Sequence, residues 1–141
     1  MSSPATEPGT MDALTDLQSI RIPPDTAHVS SVRVFVGAVA RQMGCSEEVI
    51  EDLRLVASEA AAQAIEEGVA AEGIELRAWL EGPRLTIEIE PSGLFSPSID
   101  GERPAQTTER RALIEALFPD AAFEARGDGR SLLRVRVPDD R

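Results

Sequence analysis

Two runs of strict alternation around the short stretch "EGPR" constrain this chain more than any other feature. Ile74, Leu76, Ala78 and Leu80 alternate with Glu75, Arg77, Trp79 and Glu81; Leu85, Ile87 and Ile89 alternate with Thr86, Glu88 and Glu90. Successive side chains of a strand point to opposite faces, so each run makes a strand with one apolar face. "EGPR", residues 81–84, reads as the hairpin turn between them. The pair is antiparallel, and its apolar face must be covered by something.

The cover is helical. Val29, Val32, Val36, Val39 and Met43 recur at spacings of three and four, with Phe35 widening the stripe. Asp25 or Thr26 can cap this first helix, and Gly44 can stop it. A second helix begins at Ser46, with Glu47 and Glu48 in its first turn and Gly68 as its limit. Its expected apolar face is Val49, Leu53, Val56, Ala60 and Ala64. A third helix fits Thr107 to Phe118, with Leu113, Ile114 and Leu117 apolar.

Strands flank these helices. "LQSIRIP" places Ile20 and Ile22 on one side and Arg21 on the other, closed by Pro23-Pro24. "AAFEA" and "LLRVRVP" form a last hairpin around "RGDGR", with Leu133, Val135 and Val137 inward and Arg134 and Arg136 outward. The order is β-α-α-β-β-loop-α-β-β. It predicts an α+β fold: a two-layer α/β sandwich with helices on one face of a mixed, mainly antiparallel sheet. Residues 14–138 form one domain, and residues 1–13, rich in Ser, Pro, Thr and Gly, read as a disordered tail. The stretch 91–106 has prolines at 91, 97 and 104 and no periodicity; a loop of that length is often functional.

Composition removes several function classes. The 141 residues hold 14 basic side chains, all Arg, against 25 acidic ones, a net charge of -11. That excludes a general nucleic-acid binder, which needs a basic stripe. It leaves either a basic protein partner or a surface acidic for solubility alone. Seven of the acids and one Arg lie between Ser46 and Gly68, so one helix carries -6. No apolar run approaches the roughly 20 residues that span a bilayer. "MSSPATEPGT" has no basic segment followed by an apolar one, and Cys45 is the only cysteine. These features lead us to expect a cytoplasmic protein without an intrachain disulfide.

Common catalytic motifs are missing. There is no GxxxxGK[ST] and no GxGxxG; His28 is the single histidine, and "GDG" at 127–129 is a turn. One cysteine and one histidine do not make a zinc site. What remains is "SEAAAQAIEEG", Ser58 to Gly68, in which Glu59 and Gln63 stand four residues apart on one side of the second helix. A carboxylate there can serve as a general base and an amide one turn on can help hold Mg²⁺; equally, the two can be polar residues at a helix edge.

The stretch from Leu17 to Ile65 resembles the opening of the anti-sigma-factor serine kinases, members of the GHKL (Bergerat-fold, histidine kinase-like) ATPase superfamily. The resemblance covers residues 17–137 and includes the element order. It implies that the second helix carries an E-x-x-x-N motif, whose Glu activates a hydroxyl or water and whose Asn binds Mg²⁺. Glu59 takes the first position and Gln63 the second, one methylene too long. The family often has His-Gly shortly after; here Glu66-Glu67-Gly68 stands there. The family's D-x-G-x-G motif, which reads adenine, falls on "PSGLF": Gly93 keeps the first glycine, Pro91 replaces the Asp and Phe95 the second glycine. Glu90 is the carboxylate that a slip of one residue would bring there. The glycines of the family's phosphate lid fall at Thr108 and Arg110. Arg110 and Arg111 are then either electrostatic phosphate holders or ordinary surface arginines.

Four altered features argue against turnover. The expectation is an anti-sigma-factor-like regulator acting by protein–protein contact. Its ATP site would be degenerate, with Glu59 a relic base and Gln63, Gly93 and Arg110 the relic ATP and Mg²⁺ site. No cofactor is then required. By the resemblance, its partners would be a sigma factor, a STAS-domain anti-anti-sigma factor, or a second copy in a homodimer, with neither nucleic acid nor membrane. The alternative is an active ATP-dependent serine/threonine kinase that phosphorylates the STAS-domain antagonist.

Overall fold

The computed structural model describes residues 15–67, 70, 72–92, 105–125 and 131–137. The expected tail, Gly93, Phe95 and most of the 91–106 stretch lie outside them. The elements are β1 (Thr15–Ile22), a 3-10 turn (Thr26–His28), α1 (Val29–Gln42), α2 (Glu47–Glu66), β2 (Gly73–Glu81), β3 (Arg84–Ser92), α3 (Ala105–Leu117), β4 (Ala122–Ala125) and β5 (Ser131–Arg136).

The strands form one sheet in the order β1-β2-β3-β5-β4. All four pairings are antiparallel, which corrects the expected mixed sheet. A parallel pair was not needed, because α3 and the short β4 carry the chain past β3 and let β5 return beside it. The hairpin of the alternating runs sits where expected, with Leu80 opposite Leu85 and a turn at Gly82 and Pro83. Gly82 has φ +63, a conformation that side chains disfavour. β3 runs on to Pro91 and Ser92, two residues beyond the expected strand, because Gly73 and Ile74 extend far enough to pair with them.

The sheet's inner face supplies Ile22, Ile74, Leu76, Ala78, Ile87, Ile89, Leu133 and Val135 to a single core. From α1 come Val32, Val36, Val39 and Ala40, and from α3 Ile114, followed by Phe118. The buried side of α2 is Ile50, Leu53, Val56, Ala57, Ala61 and Ala64. That stripe is turned from the expected one: Val49 and Ala60 are only half-buried, while Ile50, Ala57 and Ala61 point in. Alanine and β-branched residues occur all round this helix, so periodicity alone left its orientation loose. α3 begins two residues earlier than expected, and Leu113 is 37% exposed rather than buried, leaving Ile114 and Phe118 as its anchors.

Local chemistry fixes the turns. Asp25 accepts a hydrogen bond from the Ala27 N–H, and Ser46 accepts one from the Val49 N–H. After α1, the Gly44 N–H donates to the Arg41 carbonyl and the Cys45 N–H to that of Ala40, with Gly44 at φ +82. This paired bonding satisfies carbonyls that a helix end leaves open.

The other face of the sheet is charged. Glu88, only 7% exposed, accepts from Arg77 (3.1 Å) on β2 and Arg134 (2.8 Å) on β5. Arg77 also donates to Glu90 at 2.7 Å. Burial acts to lower the Arg77 guanidinium's pKa, but the bonds from Glu90 and Glu88 together raise it above its ordinary value. Among the described residues, no helix is long and apolar enough to cross a membrane.

Candidate functional site

Two of the residues singled out by sequence, Glu59 and Arg110, meet at the α2–α3 seam. Glu59, Gln63 and Glu66 lie three and four residues apart, on the side of α2 that faces α3. Arg110 reaches across from α3. Its Nε–H donates to Glu59 Oε1 (2.9 Å), while Nη1 and Nη2 donate to the two oxygens of Glu66 (2.7 and 3.2 Å). One guanidinium thus clamps two carboxylates, with the fork geometry that arginine makes and lysine does not. The Arg110 side chain is 20% exposed and that of Glu59 31%.

The clamp shapes its own electrostatics. The hydrogen bonds from Arg110 hold the Glu66 carboxyl below the usual glutamate range, against a smaller effect of burial. Glu66, followed by Glu59, in turn raises the Arg110 guanidinium above its ordinary value. Gln63, half-buried, lies between the two acids along α2.

Glu66 is the residue that sequence reasoning undervalued. It is seven residues after Glu59, two helical turns, and so on the same side. That spacing was the available signal. The contact with Arg110 was not legible, because nothing local relates residues 44 positions apart.

Pro91 and Glu90 resolve a question of register. Pro91, opposite Ile74, falls on the inward face of β3 with Ile87 and Ile89, and is buried. Its ring offers no side-chain hydrogen bond. Glu90 falls on the outward face, bonded to Arg77, so a slip of one residue does not bring a carboxylate inward. This corrects the idea that Glu90 substitutes for the missing Asp. Gly93 lies outside the described residues, so its role stays an expectation. Just before it, the Arg21 Nη1 donates to Ser92 Oγ (2.7 Å) and the Glu72 carbonyl (3.2 Å), pinning the end of β3 to β1.

Thr108 and Arg110, the expected lid positions, both lie within α3. Helix already runs from Ala105, where a flexible glycine lid was the family's pattern. Arg111 does not join the clamp: its guanidinium stacks 3.9 Å from the centre of the Phe123 ring. The two adjacent arginines therefore have different structural duties.

Residues 22–134 match a family model described as "Histidine kinase-like ATPase domain". Among solved structures, the chain is similar to the crystal structure of the RsbU and RsbW domains of Rv1364c from Mycobacterium tuberculosis, at a TM-score of 0.66 and 21% identity. That match covers 86% of this chain and 32% of the other, so this chain spans about a third of that chain's length. No curated protein matches significantly by sequence.

Proposed function

The chain belongs to the histidine kinase-like ATPase domain family, and from that premise we propose that it is a non-catalytic, anti-sigma-factor-like regulator that acts by protein–protein contact. Its partners on this reading are a sigma factor or a STAS-domain anti-anti-sigma factor. The resemblance of Leu17 to Ile65 to the anti-sigma-factor serine kinases supports this, as does likeness to a chain with RsbU and RsbW domains.

One observation carries the non-catalytic reading: Arg110 is committed to Glu59 and Glu66. Phosphoryl transfer needs Mg²⁺ and a correctly placed proton acceptor. Here the acceptor position already holds a guanidinium, and a cation at Gln63 would stand beside that same charge, which opposes its binding. Pro91 removes the adenine-reading carboxylate. These residues do not fit Mg-ATP.

A second reading keeps the chain an active serine/threonine kinase. It draws on Glu59, which is retained, 31% exposed and held by Arg110 through a single hydrogen bond. Titration calorimetry with Mg-ATP separates the two. We expect no binding heat up to millimolar nucleotide. Micromolar binding, abolished by Gln63→Ala or Gly93→Val, would establish the kinase reading instead.

A further inference from the structure

Arg111 is a half-buried cation without a counter-ion. Of the arginines among the described residues, only Arg33 and Arg111 form no ion pair or hydrogen bond. Arg33 is exposed, so water solvates it. Arg111 is half-buried, and its Nε–H is buried with no acceptor. Burying a charged donor without an acceptor is costly. Glu115, one turn on in α3, does not pair with it. The Phe123 ring, 3.9 Å away, attracts the charge but offers no carboxylate-like pair of acceptors for the guanidinium fork.

The backbone beside Arg111 is unsaturated too. β4 is an edge strand, and among the described residues it pairs only with β5. Every second N–H and C=O of an edge strand points away from its neighbour. Phe123, opposite Leu133, lies on the inner face of the sheet; Glu124, opposite Leu132, lies outward near Arg134. Leu117, Ala121 and Phe123 are half-buried at the border of the core. An apolar rim thus runs along this edge, with one unpaired cation above it.

We propose that β4 is a docking edge for an extended segment of a partner protein, in which an Asp or Glu with an apolar residue two positions to either side meets Arg111. An added strand lies about 4.8 Å from β4, so its inner-face side chains stand beside Phe123 and within reach of the guanidinium. The carboxylate supplies the pair of acceptors that the fork lacks, and the flanking apolar side chains cover the rim. β4 has only 4 residues, so the ladder bonds alone hold a strand weakly, and Arg111 selects an acidic one. The chain's net charge of -11 does not prevent this, because physiological salt screens charges beyond about 8 Å. The docking does not depend on whether the nucleotide site is active.

The blocked peptide Val-Thr-Glu-Thr-Val tests it, titrated into the full chain and followed by nuclear magnetic resonance at the β4 amides and the Arg111 Nε–H. Saturable shifts at both are expected, with a Kd on the order of 1 mM, and none at the amides of β2. Replacing the peptide's Glu by Gln should weaken binding at least tenfold, as the loss of a hydrogen bond between charged groups does. Arg111→Gln in the protein should do the same. The peptide substitution probes the contact in the unaltered protein, so the result stands even if that variant folds poorly. No shift at millimolar peptide overturns the proposal, as do shifts confined to other strands or equal binding of the Glu and Gln peptides. So does an equal response of Arg111 to inorganic phosphate alone, which would mark a bare anion site rather than a strand edge.

Discussion

At the scale of single residues, one guanidinium decides the character of the α2–α3 seam. Arg110 reaches two acids of α2 and ties the helices together. Pro91 gives the inner face of β3 a ring, which offers no side-chain hydrogen bond. Glycine matters where the backbone leaves no room. Gly73 has φ +110, and a Cβ there would stand 2.7 Å from the Ile22 carbonyl oxygen. The strained conformation alone costs on the order of 1–3 kcal/mol for another residue. We expect Gly73→Ala to destabilise the protein by at least about 2 kcal/mol in urea melts. A loss below about 0.5 kcal/mol would mean that β1 shifts away freely.

At the scale of elements, α2 carries opposing electrostatic effects. The Asp52 carboxyl is raised above 3.8, first by burial and then by Glu48 and Glu51. Its charged form is disfavoured in the fold, so it costs stability at neutral pH, and the cost disappears as pH falls through the raised value. Glu66 is the opposite case. Arg110 holds it below 4.5, so it contributes stability at neutral pH that is lost only as pH falls below 4.5. Asp52→Asn also removes a like-charge contact with Glu48 one turn away. It should therefore stabilise the protein by roughly 0.2–0.5 kcal/mol at pH 7. The gain should vanish below pH 3.8, where the wild-type carboxyl is protonated in both states. Thermal melts from pH 3 to pH 8 check both the size and the sign; a loss at pH 7 would contradict the account.

At the scale of the molecule, stability is uneven. β2 and β3 lie inside the sheet, each paired on both sides. α3 is anchored by Ile114 and Leu117, by Phe118 just after it, and by the Arg110 clamp to α2. Regions with few buried contacts open first. In hydrogen exchange, the amides of β2 and β3 should be the slowest and those of α3 among the fastest of the helical amides. Arg110→Ala should speed exchange in α3 and leave β2 and β3 unchanged. It should cost about 1 kcal/mol in global stability, since Glu66 is 46% exposed and exposed ion pairs contribute little. Uniform acceleration across the protein would show that α3 unfolds only with the whole domain.

The sequence by itself determined which strands and helices form and their order, with limits good to two or three residues. Alternation in 74–80 and 85–89, the Ser46 cap and the Gly44 stop are local signals, and local signals survive without a fold around them. It also marked the place of Glu59 and Gln63, because one helical turn relates them. Only the tertiary structure decided how α2 is turned, since its alanines satisfy more than one buried face. Only it placed Glu90 outward and Pro91 inward, because the pairing of β3 with β2 sets that register. And only it brought Arg110 to Glu59 and Glu66, because a contact between residues 51 and 44 positions apart depends on how two helices pack, which no short stretch of sequence encodes.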